Sequence, residues 1–203
     1  KKMDDAEREL KAGIQHNDKS MKIRFALADL YAGTGRVDEA TALLKECLGF
    51  SKDAASPDVI QAKNALAKIA LARRDFNEAK RYADEVIKES PKNTDALFAR
   101  GTVYLTKGEA ASAIPDFRTV VTENPQFIPA QIRLAEAHAL NGEPNLAMDT
   151  LKAALRSAGS MLNLVDAVVA KEADNGFALV RPPGHHALIH NGMGFCIFAN
   201  VAV

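Results

Sequence analysis

Two adjacent imidazoles, His185 and His186, follow Pro182-Pro183-Gly184 and precede Gly192-Met193-Gly194-Phe195-Cys196. Histidine is the side chain whose ordinary pKa lies nearest neutrality, so a pair held on a stiff turn suits acid–base proton transfer. The other reactive residues are poorly arranged for chemistry. Cys47 and Cys196 have no metal-type spacing and do not suggest a disulfide framework, so they read as reduced, mostly buried thiols. His16 and His138 are isolated, and no Ser/His/Asp set, metal-ligand cluster or glycine-rich phosphate loop occurs before residue 155.

The residues around the histidine pair suggest how it is held. Residues 161–171 read as a helix and 176–181 as a short apolar strand through Phe177-Ala178-Leu179-Val180. The prolines then form a rigid turn, and an apolar run leads to Val203. Strand, turn with paired histidines and glycine-rich loop form an α/β active-site layout. Upstream the pattern is different, and a boundary is expected near residues 156–160, where Gly, His and β-branched residues become frequent.

The 203 residues are 47% hydrophobic and 26% charged, an ordinary composition for a folded chain. Lys plus Arg equals Asp plus Glu at 26 each, so no net field exists to hold nucleic acid or an anionic membrane. There is no Trp and aromatics are 6%, while Ala and Leu are frequent, which favours helix-on-helix packing. No apolar run approaches a bilayer span, and Lys1-Lys2-Met3-Asp4-Asp5 has no signal core. The opening falls inside a helix pattern, as it would if residues preceded it, so the cytoplasm is the expected compartment unless an upstream export signal directs the chain to the periplasm.

An internal repeat organises the first three quarters. Ala6, Ala40, Ala79, Ala113 and Ala147 are separated by 34, 39, 34 and 34 residues. Gly108 and Gly142 are 34 apart, as are Pro91 and Pro125, and Tyr31 and Tyr104 occupy equivalent places. The longer step contains Ser51-Lys52-Asp53-Ala54-Ala55-Ser56-Pro57-Asp58, the composition of an elongated loop. Each unit reads as two short helices. In the third, Thr94 or Asp95 is expected to cap a helix reaching Thr106, Lys107-Gly108-Glu109 to turn the chain, and residues 111–122 to form the second helix before Asn124-Pro125. Leu97, Gly101 and Tyr104 face Ala113, Phe117 and Val120 in this reading, and the small Gly101 and Ala113 allow the helix axes to approach.

These marks resemble the tetratricopeptide repeat family. The resemblance implies an all-α fold, a right-handed superhelical solenoid over residues 1–155 with a half repeat at 4–14 and repeats at about 21–52, 58–91, 92–125 and 126–155. A short tail of helix plus irregular or strand character follows. Departures are Arg24, Leu97 and Gln131 in place of an early aromatic, and Arg74 at the turn glycine. In this family the first helices line a concave groove that takes a protein or peptide ligand. Its inward positions correspond here to Lys22, Phe25, Asp29, Gln61, Asn64, Lys68, Asp95, Phe98, Thr102, Ile132 and Glu136. Phe25, Phe98 and Ile132 would anchor apolar side chains, and Lys68 with Asn64 would hold a carboxylate or backbone. The Lys, Arg and Asn cluster that grips chaperone tails in some members is represented only by Lys22, Asn64 and Lys68, with acidic residues between. Self-association through the repeat ends is a further expectation.

Residues 161–203 resemble the zinc-dependent histone deacetylase family, including acetylpolyamine amidohydrolase-like bacterial relatives. The resemblance is carried by Ala178-Leu179-Val180-Arg181-Pro182-Pro183-Gly184-His185-His186 and by Gly192-Met193-Gly194-Phe195-Cys196-Ile197-Phe198-Ala199-Asn200-Val201-Ala202. It implies that His185 and His186 stand beside a zinc-bound water, one of them acting as general base and then acid in amide hydrolysis, and that Gly194 and Phe195 line the acyl-lysine tunnel. The family's zinc is held by an Asp-x-His pair and a further Asp beyond this stretch, and residues 187–203 contain no Asp. The segment over 156–203 is therefore expected to be an incomplete deacetylase unit joined to the repeats as a fusion or chimera, whether by artefact or misassembly, by gene fusion, or as a hybrid that continues past residue 203. The expected function is a protein-interaction scaffold without catalysis, metal or other cofactor; the alternative is part of a zinc-dependent deacetylase.

Overall fold

The computed structural model describes residues 2–152, Gln126 aside, and every regular element among them is an α-helix. In chain order these are α1 (Lys2–His16), α2 (Met21–Gly33), α3 (Val37–Leu48), α4 (Pro57–Ala72), α5 (Phe76–Glu89), α6 (Thr94–Thr106), α7 (Ala110–Glu123) and α8 (Ile128–Leu140), followed by helical residues 144–152. The expected helix, strand and turn over 161–203 lie outside the described residues, and with them His185, His186, Gly194 and Phe195. The chain divides into two compact units between Arg100 and Gly101, inside α6.

The turns inside the repeats share one construction. Gly35, Arg74, Gly108 and Gly142 all have positive φ, at 81°, 60°, 78° and 79°. In each case the following amide reaches back to the helix it has just left. Arg36 N–H donates to Tyr31 O (2.8 Å), Asp75 to Ala70 O (2.9 Å), Glu109 to Tyr104 O (2.9 Å) and Glu143 to His138 O (2.8 Å). This is the bond pattern of a left-handed helix stop, which glycine enters without steric cost. Arg74 enters it with a Cβ, so the turn is set by geometry even where the residue type departs.

Helix starts follow side-chain chemistry. The Asp75 carboxylate accepts from Glu78 N–H at 3.0 Å, and Pro57 occupies the first turn of α4, where a missing N–H costs nothing. For α6 the expectation of a Thr94 or Asp95 cap is corrected. Asn93 Oδ1 accepts from Ala96 N–H at 3.0 Å, so Thr94 is already helical.

In the first unit α3 packs against both α2 and α4, while α1 closes on α2 and α5 on α4. One core runs through them, with Phe25, Tyr31, Leu44, Cys47, Leu66, Tyr82 and Val86 all buried. In the second unit α7 packs on α8, and Phe117, Val103 and Val120 are fully enclosed. Gly101 has the expected steric role. A methyl group there would lie 2.9 Å from Phe117 Cε1 and 3.0 Å from Cζ, so the ring occupies the space a side chain would need. The departures from the aromatic position are buried as well. Arg24, 6% exposed, stacks its guanidinium 4.6 Å from the Phe50 ring centre, and Gln131 donates to Pro125 O at 2.8 Å.

Candidate functional site

The first helices of neighbouring repeats, α2 and α4, flank α3, and between them lies a depression of about 240 Å³. Ala28, Asp29 and Ala32 come from α2, Val37 and Leu44 from α3, and Ala65, Lys68, Ile69 and Ala72 from α4. The spacing explains the wall. Residues 65, 68, 69 and 72 fall at i, i+3, i+4 and i+7, one stripe of a helix, and 28 and 32 are one turn apart. Four of the nine lining residues are alanine, so the helix backbones are thinly covered and Leu44 and Ile69 supply the apolar depth. Asp29 and Lys68 are both exposed, and neither has an ion pair among the described residues. An apolar recess with one carboxylate and one ammonium at its edges can seat an aliphatic side chain and orient the polar groups beside it.

Of the expected groove residues, the structure brings Asp29 and Lys68 together in this recess. Lys22 and Gln61 are exposed on the same two helices but do not line it. Phe25 is a correction, because it is 7% exposed and belongs to the core cluster, so it is not an open anchor. Asn64 is a second correction. Its Nδ2 donates to Asn93 Oδ1 at 3.1 Å, and its Oδ1 is buried with no partner among the described residues, so neither end of the half-buried amide is open to a groove ligand. Asp95 is exposed in the first turn of α6, while Phe98, Thr102 and Ile132 are half-buried. Glu136 is exposed and paired with Arg133 at 2.7 Å. The lining alanines and Val37, Leu44 and Ile69 are not among the residues expected from sequence, although small residues one or two turns apart on facing helices are a readable signal.

Several charges elsewhere in this unit are paired internally. Arg36 Nη1 lies 2.5 Å from Glu7 and Nη2 2.5 Å from Glu39, with its guanidinium 4.2 Å from the Tyr31 ring centre. Hydrogen bonds from Arg36 and then Lys11 pull the Glu7 carboxyl from 4.5 down to about 2. Lys63 pairs with Glu85 at 2.9 Å. Burial pushes the Cys47 thiol up, which makes this enclosed residue a poor nucleophile. His138 is 4% exposed with Nδ1 2.5 Å from Glu143, whose carboxyl this contact holds below its ordinary value, so it is a packed residue in the Tyr31 and Tyr104 register. Among the described residues no group of three or more His, Cys, Asp or Glu is placed to hold a metal, and no helix is long and apolar enough to cross a membrane.

Comparison with known proteins bears on both parts of the chain. Residues 1–69 and 64–126 match the tetratricopeptide repeat family, and residues 119–203 match the histone deacetylase domain. The deacetylase match begins within α7, so it overlaps helices that keep the repeat register. A solved structure of MamA superposes with a TM-score of 0.63 at 23% identity, covering 76% of this chain and 87% of that one. YrrB, described as a TPR protein with an unusual peptide-binding site, superposes at 0.56 and 14% identity over 74% of this chain and 75% of its own. A histone deacetylase-like amidohydrolase from Pseudomonas aeruginosa is 60% identical over 47 residues, which is 23% of this chain and 12% of that protein. Polyamine deacetylase HDAC10 from Mus musculus is 48% identical over 71 residues, 34% of this chain and 11% of its own length. This chain therefore spans about a tenth of the curated deacetylases it matches. With the repeat spacing, the four equivalent turns and the solved neighbours in agreement, the helical part of the chain belongs to the tetratricopeptide repeat family, and a segment similar to the histone deacetylase domain follows it.

Proposed function

We propose that this chain is a protein-interaction scaffold that holds a peptide or protein segment against the first helices of its repeats, with no catalysis by the repeat helices. The recess between α2 and α4, edged by Asp29 and Lys68, which have no ion pair among the described residues, is the observation that carries this reading. The fold shared with YrrB, described as having a peptide-binding site, supports it. The balance of 26 basic and 26 acidic residues argues for a protein partner and against nucleic acid. Ala32 is exposed at the edge of the recess, so Ala32→Trp fills it without entering the core. Peptides selected from a displayed library on the wild-type chain are expected to lose binding to this variant. Equal binding to both proteins would count against the recess as the site.

A second reading is part of a zinc-dependent deacetylase, favoured by the match over residues 119–203. The two histidines correspond to the family's acid–base pair, and that family's Asp-x-His and Asp zinc ligands lie beyond the matched stretch. That reading predicts stoichiometric zinc and hydrolysis of an acetyl-lysine or acetylpolyamine amide that disappears in His185→Ala or His186→Ala. The scaffold reading predicts neither, and peptide capture indifferent to chelators.

A further inference from the structure

We propose that the recess between α2 and α4 selects a segment of mixed charge, an aliphatic side chain flanked by one acidic and one basic residue, with the acid drawn to Lys68 and the base to Asp29. This rests on the scaffold reading and adds the chemistry of the occupant.

The floor of the recess is apolar and reachable. Ala32 and Ala65 keep the two helices low at the edges, so an incoming chain can lay an aliphatic group on the half-buried Val37 and Ile69. Such contact is favourable but undiscriminating, since any apolar side chain of suitable size gains by it. Discrimination has to come from the edges. There the α2 wall carries a carboxylate and the α4 wall an ammonium, and the described residues neutralise neither.

Some charges of this unit are paired across helices, Glu7 with Arg36, Asp38 with Arg73 and Glu85 with Lys63. Lys22 and Asp58, on the same two helices as the recess, have no ion pair among the described residues and do not line it. Asp29 and Lys68 line one recess and have no ion pair among the described residues. A segment with two acids would set one against Asp29, and a segment with two bases would set one against Lys68; each repulsion works against the wrong partner. A segment with one of each satisfies both edges. The chain's zero net charge adds no long-range preference that would mask this local one.

The test uses the full chain and short fluorescein-labelled synthetic peptides with a central leucine, flanked by Glu and Lys in either order, by Glu on both sides, by Lys on both sides, or by Gln on both sides. In anisotropy titrations the better mixed-charge peptide is expected to bind about three- to tenfold tighter than either like-charged one, as two exposed ion pairs allow. High salt should shrink that margin. Lys68→Glu should shift the preference to the doubly basic peptide, and Asp29→Lys to the doubly acidic one. Circular dichroism of both variants checks that these exposed substitutions leave the helices intact. A mixed-charge peptide that shows no advantage, or a preference unmoved by either variant, overturns the proposal, as does failure of every peptide to bind. Loss of all binding in Ala32→Trp without any effect of peptide charge would overturn the proposal and leave the scaffold reading standing. Binding unchanged in Ala32→Trp would overturn both. Concentration-dependent self-association that Ala32→Trp abolishes, without peptide binding, would assign the recess to a second copy and overturn the proposal.

Discussion

Two hairpins of this chain, α4/α5 and α6/α7, place different residues at equivalent points of the repeat. The crossing residue of α6 is Gly101, and one repeat earlier it is Ala67, buried at 1%. The residue on the second helix is Phe117 in one hairpin and Ala83 in the other, both fully enclosed. Glycine thus appears where its counterpart is an aromatic ring, and alanine where the counterpart is alanine. The turn shows the opposite trend: α6/α7 uses Gly108 for the left-handed residue, and α4/α5 uses Arg74. Repeat register fixes backbone position, while side-chain volume is settled pair by pair.

The ring is where the two hairpins should respond most differently. Phe117→Ala is expected to cost about 3–5 kcal/mol, since it empties a fully buried site beside a glycine that offers nothing to refill it. Hydrogen exchange of the α6 and α7 amides measures this locally, which matters in a repeat array that need not unfold in one step. Gly101→Leu should follow at about 3 kcal/mol, because the clash is with an enclosed ring. Ala67→Gly, the reverse change in the other hairpin, should cost only about 1 kcal/mol of helix propensity and lost contact.

At the turns the signs should differ. Gly108→Ala is expected to destabilise by about 1 kcal/mol at φ 78°, and Arg74→Gly to stabilise by about 0.5–1 kcal/mol at φ 60°. Denaturant midpoints of the two variants against wild type would show it, and shifts of the same sign would refute the shared turn geometry.

The contact of α1 with the first repeat sharpens the contrast between shape and charge, and its effect is the smallest. Glu7 is held down to about 2 by Arg36 and Lys11. A carboxyl depressed on folding adds stability above its ordinary pKa of 4.5, and that contribution is lost as pH falls toward about 2. Acid should therefore loosen α1 before the buried hairpins. Amide exchange of α1 as a function of pH tests this, with Glu7→Gln expected to flatten the profile.

The repeat is legible in the sequence because its marks are local. Turn glycines, the prolines after the second helices and the alanine period all reflect backbone constraints that a linear pattern records. The site is legible only in part. Lys68 and Asp29 are among the expected inner residues, and the structure joins them in one recess. Phe25 and Asn64 follow from the same projection and have other roles, one in the core and one bonded to Asn93. Nothing in their spacing distinguishes them from their neighbours, because an inward-facing helix position is open or closed according to what the next helix brings to it.

Helix pairing and the small residue at position 101 follow from the amino-acid order alone, since each is a steric condition on adjacent turns of chain, whereas the left-handed turn at Arg74, which its residue type disfavours, appears only in the structure. Which polar side chains stay available to a partner is a tertiary matter. The Asn64 amide meets the Asn93 cap across 29 residues of sequence, while Asp29 and Lys68 flank α3 with no ion pair among the described residues. Hydrogen bonds and ion pairs need a partner within a few ångströms, and only the packing of one repeat on the next determines who that partner is.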